Sequence, residues 1–236
     1  MGYPTYVGSG TIDVKTAGAS VRAYYPAGSV DDIVIGAAYN GYAGNFSTPS
    51  GWTMIRDTNG WAVAWKRMTS TSASSVAFEA ASSTGFMMGV GHRFGSCNKS
   101  VSPTDGSRNN SGSSSWYVVT GGTVVSSKDD SLFVWCGGVD DNVIAANDAT
   151  YFTERDDQNT ALGTTGMMAM YTYAKATAGS VPSDSYGITA LSNYVSTVFA
   201  IKPIIFYSHS VLSITAVTTD EIIGLENDFI DEVVGV

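Results

Sequence analysis

Few side chains in this sequence are equipped for catalysis, and their spacing matches no known catalytic set. The histidines are His92 and His209, and the cysteines are Cys97 and Cys136. There is no G-x-S-x-G elbow, no phosphate loop and no H-E-x-x-H pair. His92 alternates with Met88, Val90 and Phe94. It therefore falls on the apolar face of a strand and reads as a hydrogen-bonded core residue rather than a base. His209 stands between Ser208 and Ser210, but a triad is defined by geometry and not by adjacency in the chain. Two cysteines make neither a disulfide framework nor a zinc set; a single bridge is the alternative, and two buried thiols are the expectation.

The carboxylates offer two further chemistries. Glu79 with Glu154, Asp156 or Asp157 could supply the acid and the nucleophile or base of a glycosidase. Glu79 sits mid-strand on a wet face, however, and the others lie in a polar stretch where solvated acids are the default. Asp140, Asp141 and Asp148, with Asn142 and Asn147, present hard oxygen ligands suited to Ca²⁺ without the EF-hand spacing. A turn-rich loop explains the same residues, and no other cofactor is expected. Aromatic side chains could bind sugar. Strand patterning assigns Trp61, Trp65 and Trp135 to the core, which leaves Trp52, Trp116, Tyr42 and Tyr151 as a candidate glycan platform.

These residues need strands to position them. Ser131-Leu132-Phe133-Val134-Trp135-Cys136 follows Lys128-Asp129-Asp130, and Ile33-Val34-Ile35-Gly36-Ala37-Ala38 follows Val30-Asp31-Asp32. Aspartate favours turns, so each acidic pair reads as a turn feeding a strand buried on both faces. The echo continues, with 61–69 matching 167–175 and 85–94 matching 194–201, which points to a two-fold pseudo-repeat. Within 61–68, Trp61, Val63 and Trp65 share one face, and Ala62, Ala64 and Lys66 share the other. Asn59-Gly60 signals a tight hairpin. In the strand through Phe94, the face of Met87, Gly89, Gly91 and Arg93 is thin, so another backbone is expected to approach it. Residues 96–115 hold eight serines and read as a linker or surface loop. Residues 137–165 read as a long polar insertion.

Composition limits the partners. Charged residues are 14% of the 236, below the usual share of about 25%. The net charge is −9, and six of the 21 acids follow residue 203, where there is no Lys or Arg. Nothing here suits a phosphate backbone, so nucleic acid is not an expected partner. No signal peptide is recognised at Met1-Gly2-Tyr3-Pro4, and no apolar run reaches the ~18 residues of a membrane span. In the acidic tail, Ile222, Leu225, Phe229, Ile230 and Val233 recur at helical spacing. Such a helix would dock to a neighbour or pack on its own domain.

Tyr6-Val7-Gly8-Ser9-Gly10, Pro26-Ala27-Gly28 with Asp31-Asp32, Pro49-Ser50-Gly51-Trp52-Thr53, Trp65-Lys66, Val90 to Phe94, Pro103-Thr104-Asp105 and Phe199-Ala200-Ile201-Lys202-Pro203 come in that order. This order resembles a group of bacteriophage virion proteins, capsid-decorating or tail-associated, with β-sandwich domains. The resemblance covers residues 5–203 and departs from the group in the longer, more acidic stretch 137–165. It implies a non-enzymatic structural or adhesion role in the virion, with other virion proteins as partners, and it supplies no catalytic residues. The expected fold is all-β: a two-sheet sandwich of jelly-roll type over 1–203, with halves 5–95 and 116–203 and a C-terminal arm over 204–236. Self-association, with a trimer as one form, and a host-surface glycan are the further expected partners.

Overall fold

The acidic pairs do enter buried strands. Asp31 and Asp130 both adopt left-handed backbone, with φ of 69° and 54°. Aspartate tolerates this conformation better than most residues. The strands that follow, Ile33–Tyr39 and Ser131–Val139, are buried at every position.

A computed structural model describes residues 2–41, 44–58, 60–84, 86–99, 102–112, 118–140, 149–159 and 166–204. The first part of the chain forms β1 (Thr5–Ser9), β2 (Asp13–Lys15), β3 (Gly18–Tyr25), β4 (Ile33–Tyr39), β5 (Thr53–Thr58), β6 (Trp61–Arg67), β7 (Ser74–Thr84) and β8 (Met87–Gly95). The second part forms β9 (Thr104–Gly112), β10 (Val118–Thr120), β11 (Val124–Ser126), β12 (Ser131–Val139), β13 (Thr153–Asn159), β14 (Met167–Lys175), β15 (Gly179–Val181), β16 (Ser185–Gly187) and β17 (Tyr194–Ile201). The described residues contain no helix, and every strand pair is antiparallel.

The protein is an all-β sandwich built on two large sheets. One runs β1-β8-β4-β6-β5, with β2 also paired to β8, and the other runs β9-β17-β12-β14-β13. They meet through a shared core in which Ile35, Tyr39, Trp61, Val63 and Trp65 face Val134, Cys136, Met170, Val195 and Phe199. The outer face of the first sheet is covered by the ribbon β3-β7, through Val21, Ala23, Val76 and Phe78 against Ala62 and Ala64. The outer face of the second is covered by the short pairs β10-β16 and β11-β15, through Val119, Val124, Val181 and Tyr186 against Phe133, Trp135 and Tyr171. Both large sheets are therefore buried on both faces, which explains why their central strands carry continuous apolar runs rather than an alternation.

The outer layers make the stack deeper than the two sheets expected from the sequence. Two further expectations change. The Ser-rich stretch contains β9, and the supposed insertion 137–165 contains the end of β12 and all of β13. Both β9 and β13 are edge strands with a single ladder partner. An edge strand keeps one side wet, so polar residues such as Asn109 and Asp157 are no obstacle there. The approach of a backbone to the thin face of β8 is observed. A Cβ at Gly89 would lie 2.6 Å from the Arg22 carbonyl oxygen, and one at Gly91 would lie 2.7 Å from that of Tyr24. The helix expected over Ile222, Leu225, Phe229, Ile230 and Val233 lies outside the described residues.

Candidate functional site

The residues with chemistry collect along the seam where the two large sheets meet edge to edge. On one side β1 lies against β13, and on the other β5 lies against β9.

At the β1–β13 seam the amide of Gln158 ties the sheets together. Its oxygen accepts from the Ile12 backbone N–H at 2.8 Å. Its nitrogen donates to the Gly10 carbonyl at 3.0 Å and to Asp156 at 2.7 Å. Behind it sits His92, 2% exposed, with Nδ1 3.5 Å from the Tyr6 hydroxyl and 3.9 Å from Asp156. Burial lowers His92 from 6.5 to about 3, so the ring is neutral at physiological pH. Burial also raises Asp156, against hydrogen bonds from Gln158 and Ser9 that pull it down, and it raises Tyr6 to about 12. This cluster is a buried hydrogen-bonded network, and the expectation that His92 is a core residue holds.

A groove of about 910 Å³ opens beside the cluster. It is lined by Ser9, Thr11, Tyr24, Tyr25, Ser75 and Gln158 among others, and none of its lining residues is charged. Tyr24 is 40% exposed and offers a ring face at the rim. Hydroxyls, an amide and an aromatic face together suit a neutral saccharide better than an ion.

The sequence-predicted residues are not brought into one site. Glu79 lies on β7, outside the first sheet, whereas Glu154 on β13 accepts from the Tyr171 hydroxyl at 3.1 Å, on the outer side of the second. The two large sheets stand between them, so this pair shares no cleft. Burial raises Glu154, with Asp157 and Asp156 adding to the effect. Asp140 is consumed by the segment that leads into β17, accepting from Ser192 Oγ at 2.7 Å, Asn193 N at 3.0 Å and Asn193 Nδ2 at 2.7 Å. Asp141 and Asp148 lie outside the described residues, and among those described no three His, Cys, Asp or Glu side chains form a metal-binding group. Trp52 is half-buried, its ring 6.2 Å from that of Tyr25. Tyr151 is 47% exposed and meets Tyr173 edge-on in the second part of the chain. These two do not make one platform, and Trp116 and Tyr42 lie outside the described residues. Cys97 and Cys136 are free and buried, as expected.

Two structural centres have no signal in the sequence. Arg93, fully buried, pairs with Asp32 at 2.9 Å and donates to the carbonyls of Pro26, Ser29 and Ser70. Asp184 accepts from the backbone N–H groups of Thr150, Tyr151, Phe152 and Ser185. Both depend on partners distant in sequence, so spacing alone does not disclose them.

Comparison with known proteins finds no matching family model, curated protein or solved structure.

Proposed function

We propose that this chain is a non-catalytic structural protein of a bacteriophage particle, carried on the capsid or the tail and docked to neighbouring virion subunits. The observation that carries the non-catalytic part is the state of His92: it is neutral, 2% exposed and in hydrogen-bond reach of Tyr6 in its own sheet, with Asp156 of β13 3.9 Å away. The phage part rests on the resemblance over residues 5–203. The acidic tail is the docking element, with Ile222, Leu225, Phe229, Ile230 and Val233 entering a groove on the neighbour. The test is incorporation of tagged full-length chain and of a chain ending at Pro203 into particles assembled in the host. Full-length incorporation with loss of the truncated form is expected. Equal incorporation would remove the tail from the docking role.

The same reading takes the fold as a duplication. In the first part of the chain β4 lies between β6 and β8, with β5 and β1 at the edges; in the second part β12 lies between β14 and β17, with β13 and β9 at the edges. The connections follow the same order. Sheets that run first, last and fourth strand of each part, each faced by antiparallel pairs of the remaining strands (β3-β7; β10-β16 and β11-β15), suit a small jelly roll in each half. The seam supports an approximate dyad between the halves, since β1–β13 and β9–β5 are equivalent contacts under that exchange.

A second reading has its own observation. The uncharged groove flanked by Tyr24 favours recognition of a host-surface glycan. Glycan-array binding that Tyr24→Ala abolishes is the expected result, and an array without hits would remove it.

A further inference from the structure

The opposite seam carries different chemistry in the equivalent place. There β5 lies against β9, and Arg56 of β5 donates to the Ser107 carbonyl of β9 at 3.1 Å, as Gln158 does to Gly10 on the other side. A groove of about 570 Å³ opens at this seam, lined by Arg56, Arg108, Ser107, Asn109 and the β11 residues Val124 and Val125. Its lining contains two guanidinium groups and no carboxylate. This is an unusual local balance in a chain of net charge −9.

Both cations are held by the fold. Arg56 is anchored at the Ser107 carbonyl. The Arg108 stem crosses Gly122 so closely that a Cβ there would lie 2.7 Å from its Cγ and Cδ. The Arg108 side chain is exposed and makes no hydrogen bond or ion pair among the described residues. Asp105, on the same strand, keeps its negative charge; its carboxylate is bound by Ser127, whose N and Oγ both donate to it at 2.6 Å, and it does not line the groove. Beyond Asn109 the groove continues along Thr58, Asn110 and Ser111. That lining is mostly of hydroxyls and amides, with Val195 beside them.

We propose that the β5–β9 groove binds an acidic polysaccharide, with Arg56 and Arg108 holding a carboxylate or phosphate and the Thr58–Ser111 stretch contacting neighbouring hydroxyls. A guanidinium matches such an oxyanion with two parallel donors, which a lysine cannot do. The proposal extends the glycan reading to a second, charged site and does not depend on the Tyr24 groove.

The experiment measures binding of the full chain to immobilised polysialate, hyaluronate, a teichoic acid and neutral dextran, with polyglutamate as an acidic peptide control. Binding to at least one of the three anionic polysaccharides is expected. It should weaken with added salt, fall at least tenfold in Arg108→Ala, recover in part in Arg108→Lys, and stay unchanged in Tyr24→Ala. Circular dichroism of each variant confirms that it is folded. No binding to any of the three polyanions overturns the proposal, as does binding indifferent to Arg108. Polyglutamate bound as well as the best polysaccharide reassigns the groove to an acidic protein segment and also overturns it. Loss of dextran or neutral-glycan binding in Tyr24→Ala alone concerns the other groove.

Discussion

At the scale of single residues, buried polar groups tie distant segments of this structure together. The Arg93–Asp32 pair is buried, and each of the three guanidinium nitrogens has an acceptor. Removing one partner leaves an uncompensated buried charge, so Asp32→Ala is expected to cost about 3–5 kcal/mol in urea unfolding. Gly91→Ala is expected to cost about 1–3 kcal/mol, because its methyl group would meet the Tyr24 carbonyl at 2.7 Å. His92 sets a pH dependence whose sign follows from burial. Its folded value of about 3 lies below the unfolded 6.5, so between those values the unfolded chain binds a proton that the folded chain refuses. The contribution is complete above pH 6.5 and is lost as pH falls toward 3, by at most ~1.4 kcal/mol per pH unit. Asp156, raised by burial, takes up its proton earlier in the folded state and offsets part of the loss. Urea midpoints between pH 7 and 4.5 should fall more steeply for the native chain than for His92→Gln.

At the scale of elements, how readable a strand is from the sequence follows its place in the stack. Trp61, Val63 and Trp65 were separable from Ala62 and Ala64 by alternation alone, because β6 has an aromatic-filled face toward the central core and a small-residue face toward the ribbon. The central strands were legible as continuous apolar runs after an Asp pair. The edge strands β9 and β13 were not. In β9 the serines and asparagines hide a strand whose inward groups are satisfied by specific partners, such as Asn109 accepting from the Thr197 hydroxyl at 2.7 Å. That hydroxyl in turn accepts from the Trp61 indole N–H at 2.8 Å, joining the two large sheets. Such pairings need the fold to be seen, as does the Arg56–Arg108 groove, whose members lie on strands from different sheets. Thr197→Val leaves the Trp61 N–H unpaired in the core and is expected to cost about 1–3 kcal/mol in chemical denaturation. In hydrogen exchange, amides of β4 and β12 should exchange only through global unfolding, and those of β5 and β13 by local opening.

At the scale of the whole molecule, the two large sheets share one core and should unfold together. Cys97 lies just beyond the first sheet and Cys136 in the second, and both thiols belong to the shared cluster. Burial raises Cys97 to about 12 and moves Cys136 the same way, so neither should react with a thiol reagent in the native state. Pulsed labelling across a urea series should expose both at one midpoint, and separate midpoints would mean that the halves are independent. The virion role proposed above makes this sandwich, covered on both outer faces, an assembled component. The most direct measurement is the copy number of this chain in gradient-purified particles from its source, by quantitative mass spectrometry against the major capsid protein. A fixed, whole-number stoichiometry per particle is the result this account expects. Absence from the particles, with the chain free in the lysate, would contradict it.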